Sequence, residues 1–134
     1  MRARCQCGSL TADVADGVEP MIVLCHCLDC QRRSGSPFGE IAYYPADSVT
    51  IAGEAREYTR LTDEANAFTS GFCPTCGSTV YARASKYPAI VGVTVGTLAD
   101  PAFPLPARSV YEQSKHHWIE MPAGVPRHPR GRNS

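Results

Sequence analysis

Long hydrophobic runs are missing from this chain: the best, Met21 to Leu24, is far short of the ~20 apolar residues that span a bilayer. No membrane partner is expected. An excess of charge is missing too, because 13 Lys and Arg stand against 13 Asp and Glu. Without a long-range field, no nucleic acid is expected as a partner, and the tail arginines Arg127, Arg130 and Arg132 are too few to change that. The opening Met1 to Gly8 has no apolar stretch of the secretory kind, so a cytoplasmic protein is expected. Tryptophan is scarce: the single one, Trp118, is expected to close the core. Uninterrupted helical periodicity is scarce as well, since 11 Gly and 11 Pro break most windows. The βαβ alternation of a nucleotide-binding fold is absent.

What remains, over 134 residues, is one domain built mainly of strands. Leu10, Ala12 and Val14 alternate with polar neighbours before the turn-prone Asp16-Gly17. Further strands are expected at 21–24, 40–44, 49–52, 57–60, 67–72, 79–83, 90–97 and 108–112. Ile90 to Val95 is β-branched and nearly continuous, which suits a central strand covered on both faces. Short strands about ten residues apart fit two packed antiparallel sheets or an open barrel. Asp100 to Pro106 cannot donate a normal ladder and reads as an extended surface connection. The domain is expected to span residues 1–121. Residues 122–134, rich in Pro and Arg, are expected to be poorly ordered unless docked.

Cysteine is abundant. Seven is an odd number, and in a reducing compartment it argues for metal ligation or catalysis rather than disulfides. Cys73-Pro74-Thr75-Cys76-Gly77 has the spacing of a zinc knuckle, half of a tetrahedral site. Cys5-Gln6-Cys7-Gly8 offers two more sulfurs on one face of an extended segment, with Gly8 permitting the bend that brings both onto one ion. Cys5, Cys7, Cys73 and Cys76 together would close a structural zinc site.

Cys25, Cys27 and Cys30 are then left, three thiols within six residues. Three protein ligands with a vacancy describe a catalytic zinc site. His26 could add a fourth, but if Cys25 and Cys27 point one way in an extended chain its ring points the other, which makes it a packed neighbour. Three thiolates on a divalent ion carry a net negative charge, so bound water would be acidified less than at neutral-ligand sites, and an incoming thiol is the better nucleophile. Arg32 and Arg33 follow, able to clamp a carboxylate or simply to solvate a loop. Asp29 is either a partner of the ligands or the polar residue of a tight turn. His116 and His117, being adjacent, cannot share one face of a strand and read as surface residues.

The ordered set Cys5-Gln6-Cys7-Gly8, Cys25-His26-Cys27-Leu28-Asp29-Cys30, Phe72-Cys73-Pro74-Thr75-Cys76-Gly77, Gly96-Thr97-Leu98-Ala99-Asp100-Pro101 and Trp118 resembles the glutathione-dependent formaldehyde-activating enzyme family, also called the centromere-protein-V-like family. The resemblance covers roughly residues 3 to 119. It implies a zinc-binding β-tent fold, a structural zinc on Cys5, Cys7, Cys73 and Cys76, and a second zinc on Cys25, Cys27 and Cys30. Two positions depart from the family pattern: Gln31 stands where Arg is common, and Ala99 where an acidic residue is common.

The function expected is that of a carbon-sulfur lyase of the S-(hydroxymethyl)glutathione synthase type. It would add a small thiol such as glutathione reversibly to an aldehyde such as formaldehyde, with Cys25, Cys27 and Cys30 at the chemistry and Arg32 or Arg33 on the thiol. The rival from another class is a non-catalytic structural zinc module for protein binding, its middle cluster empty or oxidised.

Overall fold

The computed structural model describes residues 1–134. Ten short strands are joined mostly by turns: β1 Arg2–Arg4, β2 Thr11–Val14, β3 Met21–Cys25, β4 Gly39–Pro45, β5 Val49–Ala52, β6 Arg56–Leu61, β7 Ala67–Phe72, β8 Thr79–Ala84, β9 Ile90–Thr94 and β10 Arg108–Val110. One α-helix, α1, spans Leu28–Ser34. No helix is long and apolar enough to cross a membrane.

The strands form two sheets, one of three strands in the order β1-β2-β5 and one of seven in the order β10-β3-β4-β9-β8-β7-β6. The architecture is mainly β, as expected. Pairing is antiparallel throughout except for β10, which runs parallel to β3. The long chain between β9 and β10 makes that return possible, since parallel neighbours need a crossover and not a hairpin.

Side-chain alternation gives each strand of the large sheet two destinations. On β3 and β4, Ile22, Leu24, Ala42 and Tyr44 turn one way, and all are buried. Ile22, Ala42 and Tyr44 join Ala3, Leu10, Ala12 and Val14 of the small-sheet side, with Val80, Val91 and Val93, in the main core. Leu10 is wholly buried, a burial that contributes roughly 1.5–3 kcal/mol for a side chain of its size. The opposite face carries Ile41, Phe68 and Ala82, a second small cluster with Tyr43 and Ala84 packed against it. That second face holds the site.

Three expectations are corrected. Trp118 does not close the core: it is 63% exposed, in a turn that no strand covers, and Ile119 beside it is the buried residue. The strand expected over 90–97 ends at Thr94, where the chain tightens into a 3-10 turn over Val95–Leu98. Thr94 Oγ1 donates to the carbonyl of Thr79 and Thr97 Oγ1 to that of Thr94, so side chains take over from the ladder. The strand expected over 108–112 ends at Val110, because Tyr111 adopts a left-handed backbone (φ 57°) that no ladder accommodates.

β1 and α1 carried too little pattern to be expected. The helix lacks an apolar stripe and is specified at its ends: Cys27 caps it by accepting from the Cys30 N–H at 3.2 Å, and Gly35 (φ 67°) closes it. The C-terminal segment docks along β10. The Ser109 amide donates to the Pro126 carbonyl, the His128 amide to Ser109, and the Tyr111 amide to Arg130.

Candidate metal centres and the cavity beside them

The two outer cysteine pairs, almost seventy residues apart, meet where the loop after β1 faces the turn between β7 and β8. Cys5, Cys7, Cys73 and Cys76 have all four sulfurs within 4.8 Å of one another. Cys5 Sγ lies 3.7 Å from Cys7 Sγ, and Cys7 Sγ 3.6 Å from Cys73 Sγ. Four sulfurs at 2.3 Å around a tetrahedral ion stand about 3.8 Å apart, so this cage fits such an ion.

Each sulfur is also solvated by the protein. The Leu10 amide donates to Cys5 Sγ at 3.2 Å, the Cys7 amide to Cys76 Sγ at 3.5 Å, and the Thr75 amide to Cys73 Sγ at 3.4 Å. Ser9 Oγ sits 3.1 Å from Cys7 Sγ and 3.2 Å from Cys73 Sγ. Hydrogen bonding from the Ser9 side chain pulls the Cys73 thiol down to about 7, and that of Ser78 pulls Cys76 down to about 5. Gly8 (φ 86°) and Gly77 (φ 80°) hold the left-handed turns that fold each pair back on itself.

The middle cluster forms differently. Cys25 ends β3 with its side chain on the second face, beside Val23. His26 makes the corner, and Cys27 caps α1, which carries Cys30 on its buried side. The three sulfurs again lie within 4.8 Å of one another, with no fourth His, Cys, Asp or Glu in the group. His26 is fully buried and turned away, its Nε2 2.9 Å from Ser109 Oγ, where burial lowers its pKa. It ties β3 to β10 instead of joining the sulfurs. Hydrogen bonds from the Cys25 and Cys30 thiols, the Cys30 amide and the Arg60 charge together pull the Cys27 thiol down to about 2, while the same bonds and burial push Cys25 up. An all-sulfur donor set selects thiophilic ions, and either group could hold one.

A cavity of about 210 Å³ opens beside these three sulfurs. Val23, Ile41, Phe68 and Val110 give it apolar walls, and Arg60, Asp29, Asp63 and Tyr111 supply the polar groups. Arg60 reaches in from β6: its guanidinium is 4.8 Å from the centre of the Phe68 ring, and Nη1 is 3.5 Å from Asp29 Oδ2. Tyr111 donates its hydroxyl to Asp63 Oδ2 at 2.5 Å. Burial, and then that carboxylate, push the phenol pKa well up, so the proton stays on Oη across the ordinary pH range.

Among the residues singled out in the sequence, Asp29 reaches the cavity and Arg32 and Arg33 do not line it. Arg32 is exposed on α1. Arg33 lies partly under it, with Nε and Nη2 buried without hydrogen-bond partners. Gln31 donates to the carbonyls of His26 and Ser114 and so pins the corner between the ligands to the segment after β10. His116 Nε2 is 3.1 Å from Gln31 Oε1, and His117 is exposed; neither stands in a metal group. Arg60, Asp63 and Tyr111 carry no local signal. They join the cysteines only through strand order; Tyr111 falls within the strand expected over 108–112 but stands one residue beyond β10 as it forms.

Among solved structures, a Rhodobacter sphaeroides protein superimposes with a TM-score of 0.56 at 21% identity, covering 78% of this chain and 92% of that one. No curated protein matches the sequence. The family model described as glutathione-dependent formaldehyde-activating enzyme matches residues 1–118, which contain all seven cysteines and every residue of the cavity. By its sequence over that span, the chain belongs to the glutathione-dependent formaldehyde-activating enzyme family.

Proposed function

We propose that this protein is a zinc-dependent carbon–sulfur lyase or synthase-type enzyme that joins a small thiol, glutathione, reversibly to an aldehyde such as formaldehyde. One observation carries the reading: three sulfurs converge without a fourth protein donor, at the wall of a cavity sized for a small molecule. The four-sulfur cage, by contrast, is complete in itself and serves as an architectural zinc site.

Cys25, Cys27 and Cys30 would hold a zinc ion, which would supply thiolate stabilisation and so keep a sulfur substrate nucleophilic at neutral pH. Arg60, ion-paired to Asp29 on the cavity wall, offsets the negative charge that three thiolates bring there. Val23, Ile41 and Phe68 exclude water from the reacting atoms. As the substrate sulfur bonds to the aldehyde carbon, the carbonyl oxygen gains a proton. That proton is the thiol's own: the Asp63 carboxylate on the cavity wall can accept it as S–H is broken, and the Tyr111 hydroxyl hydrogen-bonded to Asp63 can relay it to the oxygen. In the reverse direction the same proton returns and the carbon–sulfur bond breaks.

The test is Cys27→Ser with two measurements, metal per chain and the rate of S-hydroxymethyl adduct formation above the spontaneous rate, read by exchange NMR. One zinc retained and the catalysed rate lost are expected. Full catalysis with a single zinc left removes the three-cysteine site from the reaction and leaves the protein a structural zinc module.

A further inference from the structure

The cavity beside the three cysteines continues past Tyr111 into a larger groove of about 600 Å³, the two sharing Val23, Tyr43, Phe68 and Val110 on their walls. That volume falls within the roughly 300–1,000 Å³ of small-molecule sites. Residues 130–134 build the far wall of the groove, and they lie beyond the 1–118 span matched by the family. The segment is seated by the Tyr111 amide, which donates to the Arg130 carbonyl at 2.8 Å, and by the Glu112 amide, which donates to His128 at 3.0 Å.

The charge of the groove is one-sided. Lys86, Arg108, Arg130 and Arg132 line it against two side-chain carboxylates, Asp63 and Glu64. Both carboxylates are engaged: Glu64 accepts from Lys86 at 2.6 Å and Asp63 from Tyr111. Three guanidinium groups are left without an ion pair. Arg108 Nε is buried with no hydrogen-bond partner, and Arg132 stands 5.7 Å from the centre of the Tyr87 ring, held but unneutralised. Forked donors of this kind match carboxylates bidentately.

We propose that this groove is a carboxylate-binding subsite for the far end of the thiol substrate. In this arrangement Arg130 and Arg132, with Arg108, select an anionic thiol over a neutral one. The inference rests on the thiol reading above and adds where the carboxylates go. A neutral thiol reaches the sulfurs through the inner cavity but leaves the guanidinium groups unanswered. Specificity then resides partly in a segment outside the family-matched domain, while the sulfur chemistry resides inside it.

Calorimetric titration of the full metal-loaded chain with S-methylglutathione, which presents both carboxylates but no free thiol, tests the groove apart from the metal. Wild-type protein is expected to bind it at low salt. Arg130→Gln/Arg132→Gln, both at exposed positions, is expected to weaken that binding at least tenfold and to leave 2-mercaptoethanol affinity within twofold of wild type. The dimethyl ester of S-methylglutathione is expected to bind as poorly to wild type as the diacid does to the double variant. No binding of the diacid, equal affinity of the two proteins for it, or an ester bound as tightly as the acid overturns the proposal. The two readings fail separately: uptake of S-methylglutathione without any 2-mercaptoethanol binding ends the thiol chemistry and upholds the carboxylate groove.

Discussion

Tyr111 shows how one residue is spent on the site at a backbone cost. A non-glycine residue at φ 57° is strained, and strain of order 1–3 kcal/mol persists only where the surroundings enforce it. Here the Asp63 carboxylate holds the ring on the cavity wall by its hydroxyl. Tyr111→Phe keeps the ring and removes only the proton. It is expected to retain two zinc ions per chain and to lower kcat for adduct formation about 100-fold, with little change in KM, as loss of a general acid does. Unchanged kcat assigns the proton to solvent. At the other centre, Ser9 Oγ touches the sulfurs without being a ligand. Ser9→Ala is expected to lower the affinity of the four-cysteine cage for added zinc about tenfold in a competition titration, the usual cost of removing a partner of the ligands. Wild-type affinity in that variant makes the backbone amides alone responsible for solvating the thiolates.

Among the elements, β7 and β8 matter most to the cage, because their connecting turn carries Cys73 and Cys76. Gly71 of β7 lies opposite Tyr81 of β8, and a Cβ added there would stand 2.0 Å from the Tyr81 ring, so the ring occupies the space a side chain would take. Tyr81 in turn donates its hydroxyl to Glu57 at 2.7 Å and lies under Arg83 at 4.9 Å, which sews β8 to the edge strand β6. Gly71→Ala is expected to displace the ring and cost about 1–3 kcal/mol in urea denaturation, the range for overpacking. A neutral substitution shows that the ring can swing clear without loss. The helix α1 illustrates the converse. Its seven residues could not persist alone, and its role is to bring Cys30 back over Cys25 and Cys27.

At the scale of the whole molecule, the C-terminal segment is held to β10 by backbone hydrogen bonds and by Arg127, whose Nε donates to Glu112 at 2.8 Å. Burial pushes the Glu112 pKa up, but hydrogen bonds from Arg127 and Ser109 outweigh it and leave the carboxyl below its ordinary 4.5. A carboxyl depressed in the folded state contributes stability above its unfolded pKa and loses it as pH falls through the folded value. Docking of the segment is therefore expected to be intact at pH 6 and to weaken below about pH 4. Hydrogen exchange of residues 125–130, corrected for intrinsic rates, reads this directly. Glu112→Gln is expected to show looser docking at pH 6 and a flatter pH response. Protection that is the same at both pH values in the wild type assigns the docking to backbone and apolar contacts alone.

The two candidate ligand sets were legible in the residues themselves. Ligation depends on spacing over a few positions, and a glycine beside each outer pair permits the local turn, so the division of seven cysteines into four and three survives in the structure. Most strands were legible for the same reason, since alternation in Thr11–Val14 or the β-branched run after Pro88 is a local pattern. The rest depended on distance along the chain. Trp118 looked like core and is exposed, because burial follows from what packs above a residue and not from its type. Arg60, Asp63 and Tyr111 reach the sulfurs only because β6 stands at one end of the large sheet and β10 at the other, curving their edges toward a shared face. The sequence by itself determined which atoms could hold metal; strand order and register decided which walls, charges and protons surround them, since those contacts join residues that no local pattern relates.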